Sequence, residues 1–151
     1  MNICVSACLL GLCTKYDGGH NMCEELLKLK EKHGLIPVCP EQMGGLSTPR
    51  EPSEIVSSDS DEICVKTKNG KDVSREFIHG AQIAMRVFEI CSCEMAILKA
   101  RSPSCGSGII YDGSFTGSKT KGDGVFAKML KEKGVPVYTE EELKSLEISE
   151  V

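Results

Sequence analysis

The chain has 151 residues, 40% hydrophobic and 26% charged, which is the length and balance of one globular domain and excludes disordered and collagen-like classes. Eighteen Lys and Arg against 22 Asp and Glu leave a net charge of −4, so no basic field draws in a phosphate backbone, and the absence of Trp leaves few stacking platforms for nucleic acid. The apolar runs fall far short of the roughly 20 residues that a spanning helix needs, and Met1-Asn2-Ile3-Cys4-Val5 lacks the cationic start of a signal peptide, so the expectation is a cytoplasmic protein with no membrane partner.

Taken in chain order, Asn2-Ile3-Cys4-Val5-Ser6 reads as a first strand, and Ala7-Cys8-Leu9-Leu10-Gly11 as the loop that follows it. Residues 22 to 33 carry Leu26, Leu27 and Leu29 among Glu and Lys and end at Gly34, the pattern of a helix capped by glycine. Leu35-Ile36-Pro37-Val38 then reads as a second buried strand running into Cys39-Pro40-Glu41. From Gly44 to Asp61, two glycines, two prolines and five serines predict a long ordered loop, the kind that often carries function. Ile63-Cys64-Val65-Lys66 with the Asn69-Gly70 turn suggests a small edge strand.

From Ser74 to Ser92, apolar side chains at Phe77, Ile78, Ala81, Ala84, Met85, Val87 and Phe88 recur at three and four, which predicts the longest helix. Glu94-Met95-Ala96-Ile97-Leu98 is a further strand leading into Arg101-Ser102-Pro103-Ser104-Cys105-Gly106. Asp112-Gly113, between Ile109-Ile110-Tyr111 and Phe115, reads as a hairpin turn. A helix is expected from Thr120 through Leu130 to Gly134, then a strand at Val135-Pro136-Val137-Tyr138 and a short acidic helix. Strands alternating with helices imply an α/β fold, a mostly parallel sheet between helices in three layers, Rossmann-like, with residues 1–151 as a single domain.

Nine cysteines are too few for a small disulfide scaffold and odd in number, so in a reducing cytoplasm they are buried thiols, metal ligands or catalytic groups. In parallel sheets, sites form outside the carboxyl ends of the strands, and Cys8, Cys39 and Cys105 all follow predicted strands in loops rich in Gly, Pro or Ser. Three thiolates converging there suit an iron–sulfur cluster with one open iron, or a catalytic zinc with a bound water. Cys13 is a potential fourth ligand; Cys4 and Cys64 lie in strand-like runs, Cys23 at a helix start, and Cys91-Ser92-Cys93 is a weak zinc signal. Gly113 to Thr120 has the wrong glycine spacing for a phosphate loop, and His20, His33 and His79 stand at no ligand spacing, reading as surface or outer-sphere residues.

Three motifs together carry a family resemblance: Ser6-Ala7-Cys8-Leu9-Leu10-Gly11 with Tyr16-Asp17-Gly18; Pro37-Val38-Cys39-Pro40-Glu41 with Gly44-Gly45 and Thr48-Pro49-Arg50; and Arg101-Ser102-Pro103-Ser104-Cys105-Gly106 with Asp123-Gly124. In this order they resemble the thiouracil desulfurase family, long known only as a domain of unknown function. The resemblance implies a 4Fe-4S cluster held by Cys8, Cys39 and Cys105. It implies that a free iron binds the sulfur of a thiolated nucleobase, that the C–S bond is hydrolysed without net redox change, and that the cluster transiently carries the sulfide. It also implies a proton-transfer role for Glu41 and a place near the substrate for Ser102. Lys15 stands where the family often has Arg, keeping the charge but losing the planar fork. Two other readings stay open: a metal- or redox-sensing cysteine module without turnover, and a Cys105 nucleophile served by a histidine base.

Overall fold

A computed structural model describes residues 1–57 and 61–146. In chain order the elements are β1 (Asn2–Ser6), α1 (Glu24–Leu27), β2 (Gly34–Val38), α2 (Pro40–Met43), β3 (Ser53–Ile55), β4 (Val65–Thr67), α3 (Ser74–Ile90), β5 (Cys93–Leu98), β6 (Ile109–Tyr111), β7 (Lys119–Lys121), α4 (Val125–Glu132) and β8 (Val137–Thr139). Turns of 3-10 helix lie at Ala7–Leu10, Lys28–Glu31 and Glu140–Ser145. Four strands form one sheet in the order β2-β1-β5-β8, every neighbouring pair parallel. Two antiparallel pairs, β3 with β4 and β6 with β7, stand apart from it.

Side chains alternate across a strand, so the central strands feed two apolar clusters. Cys4, Ala96 and Leu98 join Val38 and the buried stripes of α3 and α4. Ile3, Val5, Met95 and Ile97 join Leu9 and Leu26. The α3 stripe is the predicted one, with Phe77, Ala81, Ala84, Met85 and Phe88 all buried. Truncating the fully buried Phe77 to Ala costs about 3–5 kcal/mol.

One contact positions the site directly. A Cβ on Gly80 of α3 would stand 1.7 Å from the Pro40 carbonyl oxygen, and one on Gly44 would stand 1.9 Å from the Glu76 carbonyl oxygen. Only glycine at both positions lets the two backbones touch, and that seats α2, with Cys39 at its N-cap and Glu41 in its first turn, on the longest helix.

Several expectations are corrected. The predicted 22–33 helix is the short α1 followed by a 3-10 turn, because Cys23 at its start supplies no side-chain cap and its last residues tighten. Gly34 does not cap it: its N–H donates to the Met1 carbonyl and opens β2. His33 is buried rather than on the surface, its Nδ1 3.4 Å from the terminal amine of Met1 and its Nε2 without a hydrogen-bond partner among the described residues. It stands at the amino end of β2, away from the strand ends that carry the thiols.

The predicted 44–61 loop contains β3, and its residues 58–60 lie outside the described residues. The small edge strand begins at Val65, so Cys64 falls just before it. Thr120 and Lys121 belong to β7, which closes the hairpin with β6, and α4 begins only at Val125. No described helix is long and apolar enough to cross a membrane.

Candidate active site

The carboxyl ends of β1, β2 and β5 surround a cavity of about 560 Å³, and Cys8, Cys39 and Cys105 all line it together with Glu41 and Ser102. Cys8 sits in the 3-10 turn that follows β1, ended by Gly11 at φ 88°. Cys39 is the N-cap residue of α2. Cys105 lies in the loop beyond β5 and is buried.

Burial raises the pKa of all three thiols, Cys105 up to about 12. The chain also offers each of them hydrogen bonds that favour the thiolate: the Asn21 side chain at Cys8, the backbone N–H groups of Gln42 and Glu41 at Cys39, and the Ser6 hydroxyl at Cys105. Cys39 raises Cys8, and both Cys39 and Cys8 raise Cys105, so the three ionisations oppose one another across the cavity.

Glu41 is fixed from two sides. Arg50 Nε donates to its Oε1 at 3.1 Å, and Ser104 Oγ donates to its Oε2 at 2.8 Å. The Arg50 and Glu41 side chains are only 8% and 14% exposed, so this ion pair is shielded from solvent screening. Arg50 also donates from Nη2 to the Thr14 carbonyl at 2.9 Å and from Nη1 to Thr48 Oγ1 at 2.9 Å, tying the Cys8 loop to the Thr48-Pro49-Arg50 segment. The Cys39 thiol faces the same Thr14 carbonyl at 3.8 Å.

Ser102 Oγ accepts the N–H groups of Ser104 at 3.2 Å and Cys105 at 3.1 Å, which curls the loop so that Ser104 Oγ comes within 3.0 Å of Ser102 Oγ. Gly124, the N-cap of α4, presses on this turn: a Cβ there would stand 2.5 Å from the Ser104 carbonyl carbon. The result is a continuous polar path Ser102, Ser104, Glu41, Arg50. Ser104 donates to Glu41 and shares a hydrogen bond with Ser102, the geometry for proton movement among these three, while Arg50, a donor that keeps its protons, anchors the far oxygen of the carboxylate.

Sequence reasoning gave no role to Arg50, Ser104, Asn21 or Ser6. Arg50 and Ser104 lay inside motifs already singled out, and that position was their signal. Cys13 is exposed and does not line the cavity, so it is not placed as a fourth ligand. Cys4 and Cys93 are buried in the core at the sheet, Cys91 caps the end of α3, and Cys23 precedes α1. Among the described residues no histidine lines the cavity, which leaves a Cys105 nucleophile without the base it needs. Nor do three His, Cys, Asp or Glu side chains among them close on a point that could hold a single metal ion. The three thiols line one cavity of about 560 Å³, which has room for a cofactor with several metal corners.

A parallel α/β sheet with thiols, a carboxylate and hydroxyls gathered at its carboxyl edge defines an enzyme site of the thiol-lined type. The chain belongs to the 2-thiouracil desulfurase family, whose model matches residues 3–142. It is 39% identical over 149 residues to YbbK of Bacillus subtilis (strain 168), an uncharacterized protein, covering 95% of this chain and 99% of YbbK. Among solved structures it is similar to the 4Fe-4S-dependent thiouracil desulfidase TudS, with a TM-score of 0.86 and 38% identity over 98% of this chain and 96% of TudS.

Proposed function

We propose that the protein removes sulfur from a small thiolated pyrimidine such as 2-thiouracil, releasing uracil and sulfide with no net electron transfer. Cys8, Cys39 and Cys105 hold a 4Fe-4S cluster in this reading, and Glu41 and Ser102 act at the substrate. The observation that carries it is the gathering of three thiols, Cys105 buried and Cys8 and Cys39 half-buried, each with its own hydrogen-bond donors, around one cavity beside a fixed carboxylate. Thiolates, not thiols, bind metal, and those donors offset part of the penalty that burial places on the charge.

When bound by three cysteines, the cluster supplies an iron without a protein ligand, an open Lewis-acidic position suited to a soft sulfur atom. The rest falls to the chain. Water adds at the thiocarbonyl carbon; its oxygen stays with the ring and the sulfur departs as sulfide, so atoms and electrons balance without a reductant. Glu41 takes the proton from that water, because Arg50 and the Ser104 hydroxyl hold its two oxygens in one orientation. Ser102, through its 3.0 Å contact with Ser104, returns a proton along the same path. The net charge of −4 favours a free base or nucleoside over an RNA strand.

The same reading takes 1–151 as one domain working in a reducing cytoplasm. Its fold is three-layered and Rossmann-like, which the two apolar clusters fed by alternate residues of β1 and β5 support. The test is anaerobic reconstitution followed by iron and sulfide analysis and an absorption spectrum. The expected result is about four irons per chain; stoichiometric zinc with no labile sulfide overturns the cluster and favours a sensing module.

A further inference from the structure

The hairpin made by β6 and β7 turns through residues 112–118 at the rim of the cavity, and Phe115 and Gly117 of that turn line it. The turn is held by a side chain from another small sheet. Glu54 of β3 accepts the N–H of Gly113 at 3.0 Å and the N–H of Phe115 at 3.2 Å, both on the one oxygen Oε1. Gly113 lies so close to β3 that a Cβ there would stand 2.6 Å from the Ile55 carbonyl oxygen. Phe115 itself is held at φ 57°, a conformation that a bulky residue rarely adopts without outside restraint. The geometry therefore joins a strained aromatic residue, a carboxylate that fixes its backbone, and the cavity wall. Tyr16 and Tyr111 are the other aromatic residues lining that cavity among those described.

We propose that Glu54 is a positioning residue that latches the 112–118 turn over the cavity, and that Phe115 is the specificity-determining wall so positioned, meeting the flat face of the substrate ring. The ligand class is a planar heteroaromatic ring. This inference rests on the proposed desulfurization and adds a face that recognises the ring apart from its sulfur. An aromatic face binds by stacking and is indifferent to the reacting bond, so its loss weakens binding and leaves the chemical step.

The experiment compares wild type, Glu54→Ala, Glu54→Gln, Phe115→Ala and the Glu54→Ala/Phe115→Ala double variant, all anaerobically reconstituted, with 2-thiouracil as the probe. Phe115→Ala and Glu54→Ala are each expected to raise KM about tenfold, with kcat within about twofold and iron content unchanged. The double variant should be no worse than either single one, since one residue acts through the other. Glu54→Gln should restore KM, because its amide oxygen still accepts both N–H groups. Hydrogen exchange at the amides of Gly113 and Phe115 is expected to quicken in Glu54→Ala and not in Glu54→Gln. A wild-type enzyme that turns over while Glu54→Ala keeps both its KM and its slow exchange overturns the latch. Additive losses in the double variant overturn the link to Phe115. If the wild type releases no sulfide, the functional reading fails, and the exchange rates alone then decide the latch.

Discussion

Ser104 Oγ donates to Glu41 Oε2 across 2.8 Å, joining the Cys105 loop to α2 between residues 63 positions apart in the sequence. That bond ties the turn that presents Cys105 to the helix that follows Cys39, and in the proposed reaction it carries the proton between them. Ser104→Ala is expected to slow sulfide release by about two- to tenfold, the effect of one ordinary hydrogen bond, while iron content stays at the wild-type value. A rate equal to wild type removes Ser104 from the path.

Glu41→Gln preserves shape but cannot exchange a proton. Turnover is expected to fall by about 10²–10⁴-fold with the cluster retained, the range for loss of a placed acid or base. Steady-state sulfide release at saturating 2-thiouracil measures it, and a variant as fast as wild type excludes Glu41 as the base.

Arg50 is 8% exposed and pairs with a carboxylate that is 14% exposed. Removing one partner of such a pair strands the other charge, so Arg50→Met is expected to destabilise the apoprotein by about 3–5 kcal/mol in urea unfolding. Adding Glu41→Gln should recover part of that loss, because the stranded charge is gone. If the double variant is less stable than Arg50→Met, the pair is not what the substitution broke.

Much of this arrangement was legible in the sequence where the signal is local. The central strands showed as short apolar runs and α3 as a stripe with helical spacing, because each buries a face of its own. Cys8 and Cys39 stood out since parallel strands deliver their following residues to one edge. The polar path was not legible, because its bonds span 9 positions between Glu41 and Arg50 and 63 between Glu41 and Ser104, and no periodicity encodes such a partner. Cys13 misled for a related reason: lying close to Cys8 in sequence, it is turned out to solvent by the loop after Gly11. Gly34 resembled a helix cap, yet its N–H was claimed by Met1 in the sheet ladder.

The buried thiols also set a pH dependence for the apoprotein. Burial raises Cys8 and Cys39 above the ordinary thiol range and Cys105 to about 12. Thiols of the unfolded chain ionise near roughly 8.5, so above that pH the unfolded state gives up protons that the folded state keeps. This contribution to stability is therefore fully present below about pH 8.5 and is lost as pH rises above it, by up to about 1.4 kcal/mol per pH unit for Cys105, with Cys8 and Cys39 acting in the same direction. Urea midpoints of the apoprotein between pH 7 and 10 measure this, and a midpoint that rises with pH contradicts it. Cluster uptake has the opposite slope: the ligands must lose their protons, so loading should tighten as pH rises from about 6.5 to 8.5.

The most direct test is sulfide release from 2-thiouracil by anaerobically reconstituted protein without any electron donor, wild type beside Cys8→Ser, Cys39→Ser, Cys105→Ser and Cys4→Ser. The expected result is one sulfide and one uracil per turnover for wild type and Cys4→Ser, with iron and activity lost together in the three ligand variants. Equal iron and equal sulfide release in Cys39→Ser and the wild type would contradict the account.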